Sequence, residues 1–224
     1  TATTQNYLFP YTTLFRSIGR VLEAEGYRVG IIAQPDWKNI HSIQSMGRPR
    51  LFCGVTAGNL DSMLSNYTAA RHKRKEDVYS EDGTPGKRPN HAAVVYAQMC
   101  RQAFPGLPVV LGGMEASMRR VVHYDYWEDK LKPSILTDAK ADILVYGMGE
   151  SAIREIAHRL HQGRTDLSGI RGTALLLGAK ATATADFTDC IQLPAWEEIR
   201  SDQRLLLRLT KVVEIGRASC RERV

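Results

Sequence analysis

The chain is poor in cysteine. It has four in 224 residues, at positions 53, 100, 190 and 220, each tens of residues from the next. That spacing excludes the paired thiols of a zinc module and the disulfide framework of a small secreted domain, and a reducing, cytoplasmic compartment follows as the simplest inference. Long apolar runs are also missing. No stretch approaches the length of a membrane span and no signal peptide is visible, so a membrane partner is not expected. Charge of one sign does not dominate, with 30 Lys and Arg against 24 Asp and Glu and a formal net charge of +6. No basic stripe with interleaved aromatics occurs, which makes nucleic acid an unexpected partner, and the one basic cluster, residues 71–75, reads as a solvated helix end. Serine nucleophile elbows, H-E-x-x-H, phosphate-binding P-loops and D-x-H-x-x-G are absent.

The two ends of the chain are themselves odd. Residues 8–17, L-F-P-Y-T-T-L-F-R-S, can be encoded by a DNA string whose reverse complement lies within one that encodes residues 214–224, E-I-G-R-A-S-C-R-E-R-V. An adapter ligated to both ends of a DNA fragment and translated through gives this pattern, whereas two independent protein termini have no reason to. We therefore expect residues 1–17 and 214–224 to be non-native tails and residues 18–213 to be an internal piece of a longer protein. Roughly 200 residues suffice for one domain that buries about 70% of its unfolded surface.

In order, Ile18, Val21, Leu22 and Glu25 have helical spacing and stop at Gly26, and residues 27–34 then read as a strand. A chain that enters through a helix and then a strand implies a further strand upstream. Residues 36–46 carry Ile40, Ile43 and Met46 at helical spacing, residues 51–57 form a second buried strand, and residues 59–74 a helix with Leu60, Met63, Leu64 and Tyr67 on one face. Residues 75–90 are charged and turn-rich, a long surface excursion. Helical spacing returns at Ala92, Val95, Tyr96, Met99 and Phe104, a strand follows over residues 109–111, and a helix with Ala152, Ile153, Ile156, Ala157 and Leu160 leads to a last strand over residues 172–177. Alternating strands and helices at this spacing predict an α/β fold with a doubly wound parallel sheet.

The organising stretch is residues 107–150. It contains P-V-V-L-G-G-M-E-A-S-M-R-R (108–120), H-Y-D-Y-W (123–127) and A-D-I-L-V-Y-G-M-G-E (141–150). Two β-branched apolar runs stop on glycines, as buried parallel strands do when their C-terminal ends open into a ligand crevice. Gly112 and Gly113 would let backbone approach a ligand, and Arg119 and Arg120 would grip a phosphate or carboxylate or else sit on a solvated face. Glu115 is a pocket acid or a helix-start acid, with Ser117 beside it. His123 and Tyr124 bring a proton-transfer group and a stacking ring, or simply an aromatic loop packed on the domain. Gly147 and Gly149 do not complete a dinucleotide fingerprint, since Ala152 stands where its last glycine would be, and Glu150 puts a negative charge where a phosphate would need bare amides; it would accept from a ribose hydroxyl or cap the helix. These eleven residues are the candidate ligand pocket. No residue is assigned as catalytic or as a metal ligand.

The runs I-G-R-V-L-E-A-E-G-Y-R-V-G-I-I-A-Q-P-D-W (18–37), G-R-P-R-L-F-C-G-V-T-A-G-N-L-D-S-M (47–63), V-L-G-G-M-E-A-S-M-R-R, H-Y-D-Y-W, K-A-D-I-L-V-Y-G-M-G-E, I-R-G-T (170–173) and L-P-A-W-E-E-I (193–199) resemble the N-terminal region of the YgiQ family of radical SAM proteins. The resemblance implies a flavodoxin-like, cobalamin-binding-type domain over residues 18–188 that lacks its native first strand. It implies that residues 189–213 begin a linker toward a missing C-terminal barrel carrying C-x-x-x-C-x-x-C. In the full-length parent that motif would hold a [4Fe–4S] cluster and cleave S-adenosylmethionine, acting on a small-molecule or unknown substrate. This chain has no such motif, so it is expected to bind neither group and to be inactive alone. A stand-alone nucleotide- or corrinoid-binding module is the alternative.

Overall fold

The structure, a computed structural model, describes residues 13–177, 188 and 190–215. The remaining tail residues, Cys220 and most of the stretch 178–189 lie outside the described residues. Helix α1 (Thr13–Ala24) leads into the chain, followed by α2 (His41–Gln44), strand β1 (Cys53–Val55), α3 (Ser62–Asn66), α4 (Ala92–Ala103), β2 (Val109–Leu111) and α5 (Gly113–Met118). A hairpin of β3 (His123–Asp125) and β4 (Lys130–Lys132) comes next, then α6 (Ile135–Ala139), β5 (Ile143–Val145), α7 (Glu150–His161), β6 (Thr173–Leu175), α8 (Trp196–Ser201) and α9 (Arg204–Ile215).

The main sheet has the order β1-β2-β5-β6. Strands β1, β2 and β5 are parallel, with Cys53 opposite Val109 and Val110 opposite Ile143. Side chains alternate between faces along each strand. Val109 and Leu111 therefore join Cys53, Val55 and Leu144 under α4 and α6, where Ala93, Ala97, Ile135 and Leu136 are buried. Val110 joins Ile143 and Val145 on the other face, against Leu22 of α1 and Ala152, Ile153, Ile156 and Ala157 of α7. Both faces are covered, which is why these strands read as continuous apolar runs. A third cluster, with Ile199 and Leu209 buried against Val121 and Val122, seats α8 and α9 beside the hairpin.

The structure departs from the sequence reading at several points. The sheet is not wholly parallel: β6 runs antiparallel to β5, with Thr173 opposite Val145 and Leu175 opposite Ile143. Its cause is the connection after α7. Leu167 and Ile170 are buried on the α7 face of the sheet, so the loop crosses back over that face and delivers the chain to the C-terminal end of β5. Residues 27–34 form no strand, because a strand needs a neighbour to complete its ladder and none among the described residues pairs with them. Helix α3 closes after little more than one turn at Tyr67, whose amide bonds Met63 O at 2.9 Å, and Arg71 then turns the chain with φ 61°. The excursion of residues 75–90 is pinned rather than loose. Arg88, 7% exposed, lies 3.6 Å from buried Asp77 and donates to Ala57 O at 3.4 Å, and Ser80 Oγ donates to Asp77 and accepts from Gln34 Nε2, both at 2.7 Å. Removing one partner of such a buried pair would leave an uncompensated charge, at a cost of about 3–5 kcal/mol.

Strand β1 bounds the sheet, and Ile31, in the run that forms no ladder, is 46% exposed. An apolar, unpaired edge invites pairing with another chain. We predict that the expressed chain self-associates at micromolar concentration. Light scattering coupled to size exclusion tests this, and a monodisperse monomer with one cooperative urea transition contradicts it.

Candidate functional site

Strands β2 and β5 are neighbours, so the two glycine-bearing ends lie side by side, and a Cβ on Gly112 would come 3.8 Å from Val145 O. Gly113 has φ +82°, and a Cβ there would meet Thr56 Oγ1 at 2.4 Å. Only glycine satisfies both the backbone angle and that approach. Gly147 also has a positive φ, and a Cβ on Gly149 would meet Val145 Cγ1 at 2.9 Å. The glycines at this rim fit tight strand-to-helix turns.

The polar residues of the stretch are engaged within the protein. Glu115 is 1% exposed, and its two carboxylate oxygens accept the amides of Ser62 at 2.7 Å and Ala93 at 3.0 Å. These amides open α3 and α4, so the carboxylate caps two helices other than its own. Ser117 Oγ donates to Gly113 O at 2.7 Å. Arg119 pairs with Asp61, whose other oxygen caps α3 through Met63 N at 2.8 Å. Arg120 donates to Ser117 O at 2.8 Å and lies 4.8 Å over the Tyr146 ring, bridging the two strand ends. Tyr124 is half exposed and donates to Asp129. Glu150 is the first residue of α7, half-buried.

A cavity of about 280 Å³ opens beside this rim, lined by His91, Val94, Gln98, Arg119, His123, Asp125, Lys132, Ile135 and Asp138. Of the eleven residues predicted from the sequence, it gathers Arg119 and His123. The other nine do not line it. His91, at the N-terminus of α4 with φ 50°, was missed because no short motif joins it to the hairpin; a histidine abutting a helix start and the acids of D-Y-W-E were the available signals.

Asp125 is 3% exposed. Its Oδ1 accepts the amides of Trp127 at 2.8 Å and Glu128 at 3.0 Å, leaving Oδ2 without a hydrogen bond, 3.8 Å from Lys132 Nζ. His123 Nδ1 faces Val121 O at 3.2 Å and so carries the proton, and the buried Nε2 has no partner. Burial holds the His123 imidazole below its ordinary 6.5; the Val121 carbonyl opposes this, Arg119 adds to it, Asp125 opposes it and Lys132 adds to it. Glu128 lies 3.6 Å from His91 Nε2, and hydrogen bonds from Lys130 and Lys132 pull its carboxyl down to about 2.

The family profile described as radical SAM N-terminal matches residues 11–224. The chain belongs to the radical SAM N-terminal family. Its relatives include a UPF0313 protein of Bradyrhizobium diazoefficiens, 47% identical over 214 residues that cover 88% of this chain and 32% of the relative. A putative UPF0313 protein of Yersinia pestis is 54% identical over 161 residues, 71% of this chain and 21% of that one. The resemblance to the YgiQ group is thereby borne out, and this radical SAM N-terminal chain spans about a third or less of the length of these relatives. Among solved structures, the radical S-adenosylmethionine methyltransferase TsrM of Kitasatospora setae, with tryptophan substrate and a SAM analogue bound, aligns at 24% identity and a TM-score of 0.48 over 73% of this chain and 25% of that one. No helix among the described residues of the radical SAM N-terminal chain is long and apolar enough to cross a membrane.

Two predictions follow from this geometry. Gly113→Ala lowers unfolding free energy by about 2–4 kcal/mol, since it combines left-handed strain with overpacking against Thr56, while Gly112→Ala stays within about 1 kcal/mol; urea titrations of both variants measure the difference. For His123, the folded pKa lies below the unfolded one, so the unfolded state binds more protons and stability falls as pH drops below 6.5. His123→Gln flattens that slope. Urea midpoints between pH 7.5 and 5 would show an unchanged slope if His123 were freely solvated.

Proposed function

We propose that this chain is the N-terminal accessory domain of a radical SAM iron–sulfur enzyme of unassigned substrate, working in the cytoplasm. In this reading residues 18–188 are a flavodoxin-like, cobalamin-binding-type domain short of its first strand. Residues 189–213 lead toward a C-terminal barrel, and residues 1–17 and 214–224 are not native. The observation that carries the proposal is the family match combined with coverage of only 32% of the relative from Bradyrhizobium, which leaves two thirds of such a protein to supply chemistry.

The chain's own residues do not fit an iron–sulfur cluster. Such a cluster takes several clustered thiolates. Among the described residues, Cys53 and Cys100 are buried in the core and Cys190 is remote in sequence, while the Cys53 sulfur and burial push the Cys100 thiol up. Cluster and S-adenosylmethionine are therefore assigned to the full-length parent. The partner surface we favour is the glycine rim, where Met114, Met118 and Met148 are 46%, 61% and 90% exposed. Methionines adapt to irregular apolar surfaces, which suits a domain interface over a barrel mouth. Gly112, Gly113, Arg120, Gly147, Gly149 and Glu150 then stand at the edge of that interface, with small-molecule substrate as the other party.

Anaerobic reconstitution of the full-length parent with iron, sulfide and a low-potential reductant is expected to yield 5′-deoxyadenosine from S-adenosylmethionine, and this chain alone to yield none. A stop codon soon after residue 213 in the parent gene, or a reconstituted parent that forms no 5′-deoxyadenosine, would favour the stand-alone nucleotide- or corrinoid-binding module instead.

A further inference from the structure

Where the hairpin meets the first turn of α4, His91, Asp125 and Glu128 each offer one ligand atom, and the three atoms lie within 4.8 Å of one another. They come from two separate elements, one side of the cluster on the α4 N-terminus and the other on β3 and its turn. Carboxylates in proximity are common on protein surfaces and alone indicate nothing. Asp125 differs from that pattern, because its side chain is 1% exposed and its Oδ2 has no hydrogen-bond donor. A buried acceptor left in this state costs free energy unless something electropositive comes to it. His123 repeats the observation on the same cavity wall: with Nδ1 committed to the Val121 carbonyl, Nε2 presents a bare lone pair that is buried and unpartnered.

We propose that this cluster is a binding site for a divalent transition-metal ion of the zinc class, with His91 Nε2, Asp125 Oδ2 and Glu128 Oε1 as donors. Imidazole nitrogen with carboxylate oxygen is a donor set that suits zinc. Asp125 is already oriented for the role, since the Trp127 and Glu128 amides fix its other oxygen, as supporting hydrogen bonds do around metal ligands. The competing cation is Lys132, whose ammonium lies 3.8 Å from Asp125 Oδ2 and pairs with Glu128, with Lys130 at 2.5 Å from the other Glu128 oxygen. The Lys130 side chain is 58% exposed and that of Lys132 only 18%, so an incoming ion must displace Lys132 from a largely buried position. The bound ion would clip the hairpin to α4, independently of any chemistry assigned to the parent enzyme.

Cobalt(II) titration of the full 224-residue chain, carried on a solubilising fusion partner that is also titrated alone, tests the site. One equivalent should bind with the visible absorption of a low-coordinate nitrogen–oxygen site and be displaced by zinc. His91→Ala and Asp125→Asn should each weaken binding at least about tenfold. Lys132→Met should tighten it about two- to fivefold by removing the competing ion pair, an effect that a fold-level role of these residues does not predict. Circular dichroism of each variant keeps lost binding distinct from lost structure. The proposal is overturned if the chain shows no stoichiometric cobalt absorption. It is overturned equally if the absorption survives Asp125→Asn and His91→Ala, or disappears in Cys53→Ser, Cys100→Ser, which would assign the ion to thiolates.

Discussion

The carboxylate of Glu115 is the joint on which the glycine rim depends. It is a buried negative charge whose two oxygens take the opening amides of α3 and α4, while its own helix begins immediately after β2. Three elements that are distant in sequence are thus fixed to one point, and the electropositive ends of two helices neutralise what would otherwise be a costly buried ion. The neighbouring Asp61–Arg119 pair extends the joint, since Asp61 caps α3 with one oxygen and receives Arg119 with the other. Arg119 in turn forms part of the wall of the cavity. Fold and cavity thus meet at Arg119.

That economy explains why some of the molecule was legible in the sequence and some was not. Strands β1, β2 and β5 and helices α4 and α7 were readable because each is bounded by glycine or proline and buries a pattern that local spacing reveals: V-V-L and I-L-V against two faces, and Ala92, Tyr96 and Met99 on one stripe. The direction of β6 was not, because it depends on Leu167 and Ile170 folding back over α7, a tertiary event with no signature of its own. Residues 27–34 have strand composition yet no ladder, since composition proposes a strand and only a neighbour completes it.

The candidate site shows the same division. Gly113 was identifiable as a position that excludes side chains, although the group it makes room for is Thr56. Glu115 was identifiable as an acid at a helix start, but which helices it serves is a matter of three-dimensional arrangement. Arg120 stacks on Tyr146 and donates to Ser117 O, an arrangement that neither of its two readings named. The hairpin chemistry was half visible: the H-Y-D-Y-W run announced a histidine and an acid, whereas their convergence with His91 across more than thirty residues required the fold.

The reversed last strand also sets the direction of exit. Strand β6 enters the sheet opposite Val145, at the rim that holds Gly112 and Gly147, and finishes opposite Ile143 at the other rim. The backbone is therefore handed off from the floor of the sheet, and whatever approaches its glycine-lined roof does so from a side the departing strand has already left.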